Sequence, residues 1–479
     1  MKHYDLFIDG AWVKSASEKY IAVENPSNEE VIGYVTDATP ADVEKAMNAA
    51  AAAQKGWELL PIMERAKYVK RLAELIEGKK EMFARMLTME QGKTYSDAIF
   101  EVNDTITYMT SAIEHINTIK GDILATAQPN EMVTIEKVPY GVVAALCAWN
   151  YPLALVGRKI GPALITGNTV VLKPHELTPL ATAEFFNLVE EAGFPKGVLN
   201  LITGTGAESG NLMVTNPNTR LVTVTGSVRA GQAIYRAAAD NIAGLVLELG
   251  GKAPFVVMAD ADIDKAVEAA VISRFANCGQ VCICSDMVFV QESVAEEFTQ
   301  KLLARVAKIK VGNPFDPTTE MGPKMCRQDL DKIDSIVKRS VEAGATIACG
   351  GGRPEGEQFE KGFWYKPTVL TNVTMDMPAA QEEIFGPVMP IIIIKDFDDA
   401  LAKANSSSYG LACYLFTDDY RIIRRASREM EVGSIFVNKP IIGYFHVYHS
   451  GHKLSGLGGE DGEYGLAHFL QNRVMYIEY

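Results

Sequence analysis

Asn277-Cys278-Gly279-Gln280-Val281-Cys282-Ile283-Cys284 gathers three of the chain's seven cysteines around a Gly-Gln pair that reads as a tight bend. A thiolate is the strongest nucleophile among ordinary side chains, provided that it is partly exposed and electrostatically favoured. A glycine beside it lets backbone and substrate approach closely. A cysteine taken alone more often packs than reacts. A zinc site would want further Cys or His at paired spacing, and the seven histidines (3, 115, 175, 446, 449, 452 and 468) supply no such pair nearby. Upstream, Glu248 lies in Leu247-Glu-Leu-Gly-Gly-Lys252, a carboxylate in an apolar run ended by two glycines. Buried there, it would have a raised pKa and act as a base near neutral pH. Further back, Trp149-Asn150-Tyr151-Pro152 follows an apolar run over 141–148, where an amide donor can face a developing oxyanion. Nucleophile, base and oxyanion donor together point to acyl chemistry through a thioester.

These residues need rigid elements to hold them. Phe7 to Trp12 alternates around Asp-Gly and predicts a small hairpin. Thr39-Pro40 opens an alanine-rich helix as N-cap and first turn. A second helix is expected over 62–76, and two more over 82–118. The apolar runs 133–138 and 142–146 read as strands. Between 157 and 231 strand and helix alternate, the signature of a parallel sheet. Thr169 to Leu172 is a short buried strand leading to Lys173-Pro-His-Glu176, and Thr178-Pro179 caps the helix that follows. Strands 198–202 and 221–225 run into Gly204-Thr-Gly206-Ala-Glu-Ser-Gly210 and Gly226-Ser227. Each strand therefore ends in glycine or polar residues, where an open α/β sheet binds its ligands. The glycine run is not the GxGxxG fingerprint, and such a loop is as often structural as cofactor-binding. A second α/β segment follows, with helices at 263–276, 294–306 and 328–342 and a strand at 287–291. The closing Val474-Met-Tyr-Ile-Glu-Tyr479 reads as a strand with unpaired edges, which favours pairing with another subunit.

At 479 residues, the chain is long enough for two or three domains, and 48% hydrophobic content supplies their cores. A formal charge of −14 argues against nucleic-acid and anionic-membrane partners. No membrane-spanning stretch or signal-peptide pattern is legible. Seven cysteines are an odd number and too thinly spread for a disulfide framework, so a reducing cytoplasm is expected.

Asn150 in Trp-Asn-Tyr-Pro, Glu248 in Leu-Glu-Leu-Gly-Gly-Lys and Cys282 in Gly-Gln-Val-Cys resemble the NAD(P)-dependent aldehyde dehydrogenase superfamily, from Asp9-Gly10-Ala11-Trp12 to the C-terminal tail. The resemblance implies an α/β fold with a Rossmann-type cofactor domain (1–122 and 144–249), an α/β catalytic domain (250–436), a segment returning to the active site (437–461) and a small β oligomerisation arm (123–143 and 462–479). It implies Cys282 as nucleophile, Glu248 as base and Asn150 as oxyanion donor, with Lys173 counted among the catalytic residues. Lys173 and Glu176 would contact the adenosine ribose, Ser227 the pyrophosphate, Glu383 the nicotinamide ribose and Phe385 the nicotinamide. Trp149, Gly206, Gly210, Thr225, Gly226, Leu249 and Gly250 complete the implied cofactor site. A carboxylate at Glu176 accepts ribose hydroxyls and repels a 2′-phosphate, which favours NAD over NADP. A homodimer or homotetramer is implied.

The match departs from the family at three places. Ala148 stands where a proline is usual, His175 where a small residue is usual, and Met287 where many relatives carry arginine. The implied reaction oxidises a small aldehyde in three steps: thiolate addition, hydride loss to give a thioester, and hydrolysis activated by Glu248. The acyl-CoA-releasing branch characteristically lacks that glutamate. Arg158-Lys159 occurs in the lactaldehyde/glycolaldehyde and the succinate-semialdehyde types. Arg158 would bind a substrate carboxylate or hydroxyl, or merely cap a helix. The succinate-semialdehyde type usually adds an arginine where this chain has Ala276, whereas His449 resembles the lactaldehyde type, unless it is only a surface-loop residue. Cys282 and Cys284 would both line the substrate site, and whether they form a redox pair stays open. The balance favours a short hydroxyaldehyde, with a small acidic semialdehyde second. A catalytically silent cofactor-binding protein of the same fold is the alternative from outside enzymology.

Overall fold

The computed structural model describes residues 1–441 and 443–479; Ile442, within the expected return segment 437–461, lies outside the described residues. Two large sheets carry the molecule. The first has eight strands in the order Gly456–Leu457, Gly244–Glu248, Thr219–Thr225, Val142–Leu146, Thr169–Lys173, Leu199–Leu201, Leu6–Ile8 and Ala11–Val13. The five from Gly244–Glu248 to Leu199–Leu201 are mutually parallel, and antiparallel strands close both edges. Side chains alternate between two buried faces. Val143, Ala145, Val170 and Leu172 enter one apolar core, while Val142, Ala144, Leu146 and Val171 enter the other. Val142–Leu146 and Thr219–Thr225 are neighbours although the chain order reverses between them, so their carboxyl ends frame a crevice of the kind that binds ligands.

The second sheet runs Thr346–Cys349, Thr368–Thr371, Val388–Ile394, Ser285–Gln291, Ala253–Val257, Ala412–Phe416 and Ser434–Val437. All but the first are parallel, and a core lies on each face. Met287, at a position where relatives carry arginine, is fully buried in one of them.

The expected hairpin forms, with Phe7 opposite Trp12, and Asp9 and Gly10 take φ of 55° and 77° at its turn. Helix Pro40–Leu59 starts in a reciprocal capping box between Thr39 and Asp42. Two expectations change. Thr178-Pro179 does not cap helix Leu180–Ala192. The Glu90 carboxylate does so instead, accepting the Leu180 and Ala181 N–H groups at 2.7 and 3.0 Å. The closing strand is also longer than expected and is not free on both edges. Leu470–Glu478 pairs along its length with Glu131–Pro139, which in turn pairs with Asp122–Leu124. Among the described residues its outer edge has no partner strand, and Val474, Met475 and Tyr476 are exposed. Among the described residues no helix is long and apolar enough to cross a membrane, and no cluster of side chains could hold a metal ion.

Candidate active site

Helix Ile263–Phe275 leads into the cysteine loop and stops where Asn277 and Cys278 adopt left-handed φ of 46° and 57°. Gly279 follows at φ 71°, and a Cβ there would lie 2.3 Å from the Gly386 carbonyl oxygen. The bend thus seats the loop against the turn that carries Glu383 and Phe385, an approach only glycine allows. Cys278 and Cys284 are buried, and Cys282 alone of the three is partly exposed. The Cys284 sulfur accepts from Arg274 Nη1 at 3.2 Å, and Arg274 is paired with Asp286 at 2.9 Å. Burial pushes the Cys282 thiol up to about 12. Arg158 opposes that shift more than any other charge, and Glu248 adds to it. The resting thiol therefore keeps its proton at neutral pH.

Asn150 sits just past the carboxyl end of Val142–Leu146. Its side-chain amide donates to the Gln280 carbonyl at 3.0 Å, two residues before Cys282. Its own carbonyl accepts from Lys93 Nζ at 2.9 Å and Asn277 Nδ2 at 3.1 Å. Lys93 is fully buried, paired with Glu101 at 2.5 Å and lying 3.8 Å over the Tyr151 ring. Glu101 also accepts the Leu153 and Ala154 N–H groups at 2.8 and 3.3 Å, which caps helix Pro152–Ile165. One buried ion pair thus fixes both the amide donor and the helix that carries Arg158.

Glu248 ends its strand, held from the other side by pairing with Gly456. Its Oε1 is buried without a hydrogen-bond partner among the described residues, and its Oε2 lies 3.4 Å from His449 Nε2. Burial, reinforced by Glu460, lifts its carboxyl well above the usual range. Burial and Arg158 lower His449 to about 3, so the imidazole is neutral. His449 and Glu460 exchange two backbone hydrogen bonds at 2.8 Å. Glu460 pairs with Lys159 at 2.6 Å and Arg158 at 3.2 Å. Against the effect of burial, these two cations hold it down at about 2. Arg158 also grips Asp461 through Nε at 2.8 Å and through Nη2, and its guanidinium lies 5.2 Å from the Tyr108 ring centre.

The segments 173–176, 206–210 and 225–227 lie at or just beyond the carboxyl ends of the first sheet's parallel strands. Lys173 Nζ donates to the Pro174 carbonyl at 3.0 Å and lies 3.5 Å from Glu176. His175 turns inward, accepting the Leu177 N–H at 3.2 Å. Gly206 to Gly210 form one wide helical turn. Thr225-Gly226 leads to Ser227, which caps helix Val228–Ala237 through the Ala230 N–H at 3.2 Å. Leu249 packs where a Cβ on Gly231 would meet it at 2.5 Å. A Cβ on Gly250 would lie 2.5 Å from Glu383, whose carboxylate accepts the Gly251 N–H at 2.9 Å. Trp149 and Phe385 meet edge to face at 5.4 Å. The buried hydroxyls of Ser209 and Thr225 have no partner among the described residues. Unpartnered hydroxyls, a glycine cradle and a helix N-terminus suit a ribose and a pyrophosphate, so the residues present fit a nicotinamide dinucleotide.

Residues 12–475 match the Aldehyde dehydrogenase family. The chain belongs to that family. It is 42% identical over 479 residues to a 3,6-anhydro-α-L-galactose dehydrogenase of Vibrio sp. (strain EJY3), covering 100% of both chains. It is 37% identical over 476 residues to the lactaldehyde dehydrogenase of Escherichia coli (strain K12), covering 99% of this chain and 98% of the other. A 3,6-anhydro-L-galactose dehydrogenase solved in complex with NADP superposes with a TM-score of 0.98 at 45% identity, over 99% of this chain and 100% of that one. The expected family, fold and enzymatic character therefore hold.

In this aldehyde dehydrogenase, the charges of Arg158 and Glu248 reach the Cys282 thiol, the Asn150 amide meets the same loop at Gln280, and His449 lies against Glu248. Two residues stand apart from their expected companions. Lys173 contacts Glu176 rather than the reactive trio. Cys284, expected to face substrate, is buried against Arg274, because the guanidinium that neutralises Asp286 also takes up its sulfur. Lys93 and Glu101, and the roles of Lys159, Glu460 and Asp461, emerge only from the structure. A charged pair inside the otherwise apolar helix Pro152–Ile165 was the one sequence signal for the last three, since buried cations need counter-ions. Nothing near Lys93 marked it.

Proposed function

We propose that this enzyme oxidises a small hydroxyaldehyde with NAD, releasing the carboxylic acid by hydrolysis. What supports this reading is the one partly exposed loop cysteine, Cys282, whose loop takes the Asn150 amide at Gln280 and whose thiol feels the charge of Glu248, a carboxylate with one oxygen free of partners among the described residues. The Cys282 thiol gives its proton to the Glu248 carboxylate, which passes it to solvent, the sulfur bonds to the aldehyde carbon, and the Asn150 amide and the Cys282 N–H hold the resulting oxyanion. What the dinucleotide supplies when bound is an acceptor for the hydride lost as the adduct becomes a thioester. Glu248 then takes a proton from water, hydroxide adds to the thioester carbon, and the carbon–sulfur bond breaks.

Arg158 and His449 support the hydroxylated substrate, and the relatives named for 3,6-anhydro-α-L-galactose and lactaldehyde act on hydroxylated aldehydes. Ala276, where an acidic semialdehyde would call for a second arginine, disfavours that alternative. NAD rather than NADP rests on Glu176. Burial works against its ionisation, yet His175, Lys173 and the backbone N–H groups of Glu176 and Gly206 hold its carboxyl below the usual range. The NADP-bound relative makes this the point to test. The exposed outer edge of Leu470–Glu478 supports a homodimer or homotetramer, and seven free cysteines support a cytoplasmic setting. The test is NAD and NADP reduction with a panel of lactaldehyde, glycolaldehyde and succinate semialdehyde. Faster turnover of the two hydroxyaldehydes with NAD supports the reading, and preference for succinate semialdehyde or NADP overturns the corresponding part.

A further inference from the structure

Asp461 occupies the N-cap position of helix Gly462–Ala467, where an aspartate ordinarily accepts helix N–H groups. It makes no such bond, and its backbone sits at φ 68°, ψ 155°, a region costly for a residue with a side chain. Gly462 fixes the turn, since a Cβ there would lie 2.5 Å from the His446 carbonyl oxygen. The carboxylate released from capping grips Arg158 instead, fork to fork. Together with Glu460 and Lys159 this makes a cluster of two cations and two carboxylates. Arg158 keeps a side-chain exposure of 10%, and its Nη1 amino group makes no hydrogen bond among the described residues. It lines a small cavity with Tyr108, Phe445 and Asp461, and its charge opposes the rise at the Cys282 thiol more than any other.

We infer that Asp461 determines specificity by neutralising Arg158, so that the pocket offers N–H donors to a hydroxylated chain but no net positive charge to a carboxylated one. The inference rests on the proposed reading of Arg158 as a wall of the aldehyde pocket. Asp461 touches no substrate in this account and acts through the guanidinium. Removing its charge leaves a cation only partly compensated in a site of low dielectric, where a carboxylate a few ångströms away gains strongly.

The readout is the ratio of kcat/KM for succinate semialdehyde to kcat/KM for lactaldehyde. Asp461→Asn keeps shape and removes charge, and is expected to raise that ratio about tenfold. Arg158→Gln leaves two carboxylates against one lysine and should lower it. The double variant should lie between the two. A purely structural role would depress both substrates and leave the ratio unmoved. An Asp461→Asn ratio within twofold of wild type, or single variants that shift it in the same direction, overturns the inference. Should Asp461→Asn fail to fold, an unmoved ratio in Arg158→Gln overturns it equally. A wild type that prefers succinate semialdehyde sinks the hydroxyaldehyde reading, while the shifts between variants still decide the role of Asp461.

Discussion

His449 Nε2 lies 3.4 Å from Glu248 Oε2, bringing a neutral imidazole from the C-terminal segment onto the carboxylate of the expected base. A polar ring at that distance is a less costly neighbour for an ionised carboxylate than an apolar one. Glu248 already has its carboxyl lifted by burial and by Glu460, so it gains basicity at neutral pH only as far as it ionises. Replacing His449 with Phe puts an apolar ring against the carboxylate and lifts that carboxyl further. The kcat–pH profile should rise at higher pH than in wild type, with kcat at neutral pH down about fivefold. An unmoved profile with a raised aldehyde KM would make His449 a substrate contact only.

Cys282 is expected to react slowly with iodoacetamide in the absence of dinucleotide. Its thiol is pushed up to about 12 by burial, and only the thiolate is alkylated. Because the pKa is raised, the thiolate fraction keeps growing with pH, so the alkylation rate should climb through pH 9 without a plateau. A plateau below pH 8 would show a thiolate already stabilised in the free enzyme.

Glu176→Ser should raise kcat/KM with NADP relative to NAD by about tenfold, since it removes a carboxylate from the expected site of the 2′-phosphate. Wild-type enzyme that uses both cofactors equally contradicts the repulsion argument.

Lys93→Met leaves Glu101 buried without its 2.5 Å partner. Breaking a buried pair on one side costs about 3–5 kcal/mol, so the melting temperature should fall clearly. Lys93→Met combined with Glu101→Gln should recover part of the loss. A single variant that melts with wild type would remove the pair from the support of Asn150.

The elements were legible wherever local rules decide them. The Asp9-Gly10 turn, the Thr39-Pro40 cap and the alternating strands of the first sheet follow from turn chemistry and periodicity. The motifs around Asn150, Glu248 and Cys282 were legible too, because each sits where a strand or helix ends. What stayed hidden depends on contacts between distant segments. Glu90 caps a helix 90 residues away, Lys93 meets Asn150 across 57, and Asp461 reaches back 303 to Arg158. No periodicity or local propensity encodes such pairings. The closing strand was recognised, but not its partner Glu131–Pro139, for the same reason.

The account stands or falls on the thioester at Cys282 and its hydrolysis by Glu248. The most direct measurement is a single-turnover experiment on Glu248→Gln with NAD and lactaldehyde, following NADH and the mass of the Cys282 peptide together. The account predicts a rapid burst approaching one NADH per active site, little steady turnover, and an acyl adduct on Cys282 of matching stoichiometry. Steady turnover at the wild-type rate, or a burst with the adduct on another residue, would contradict it.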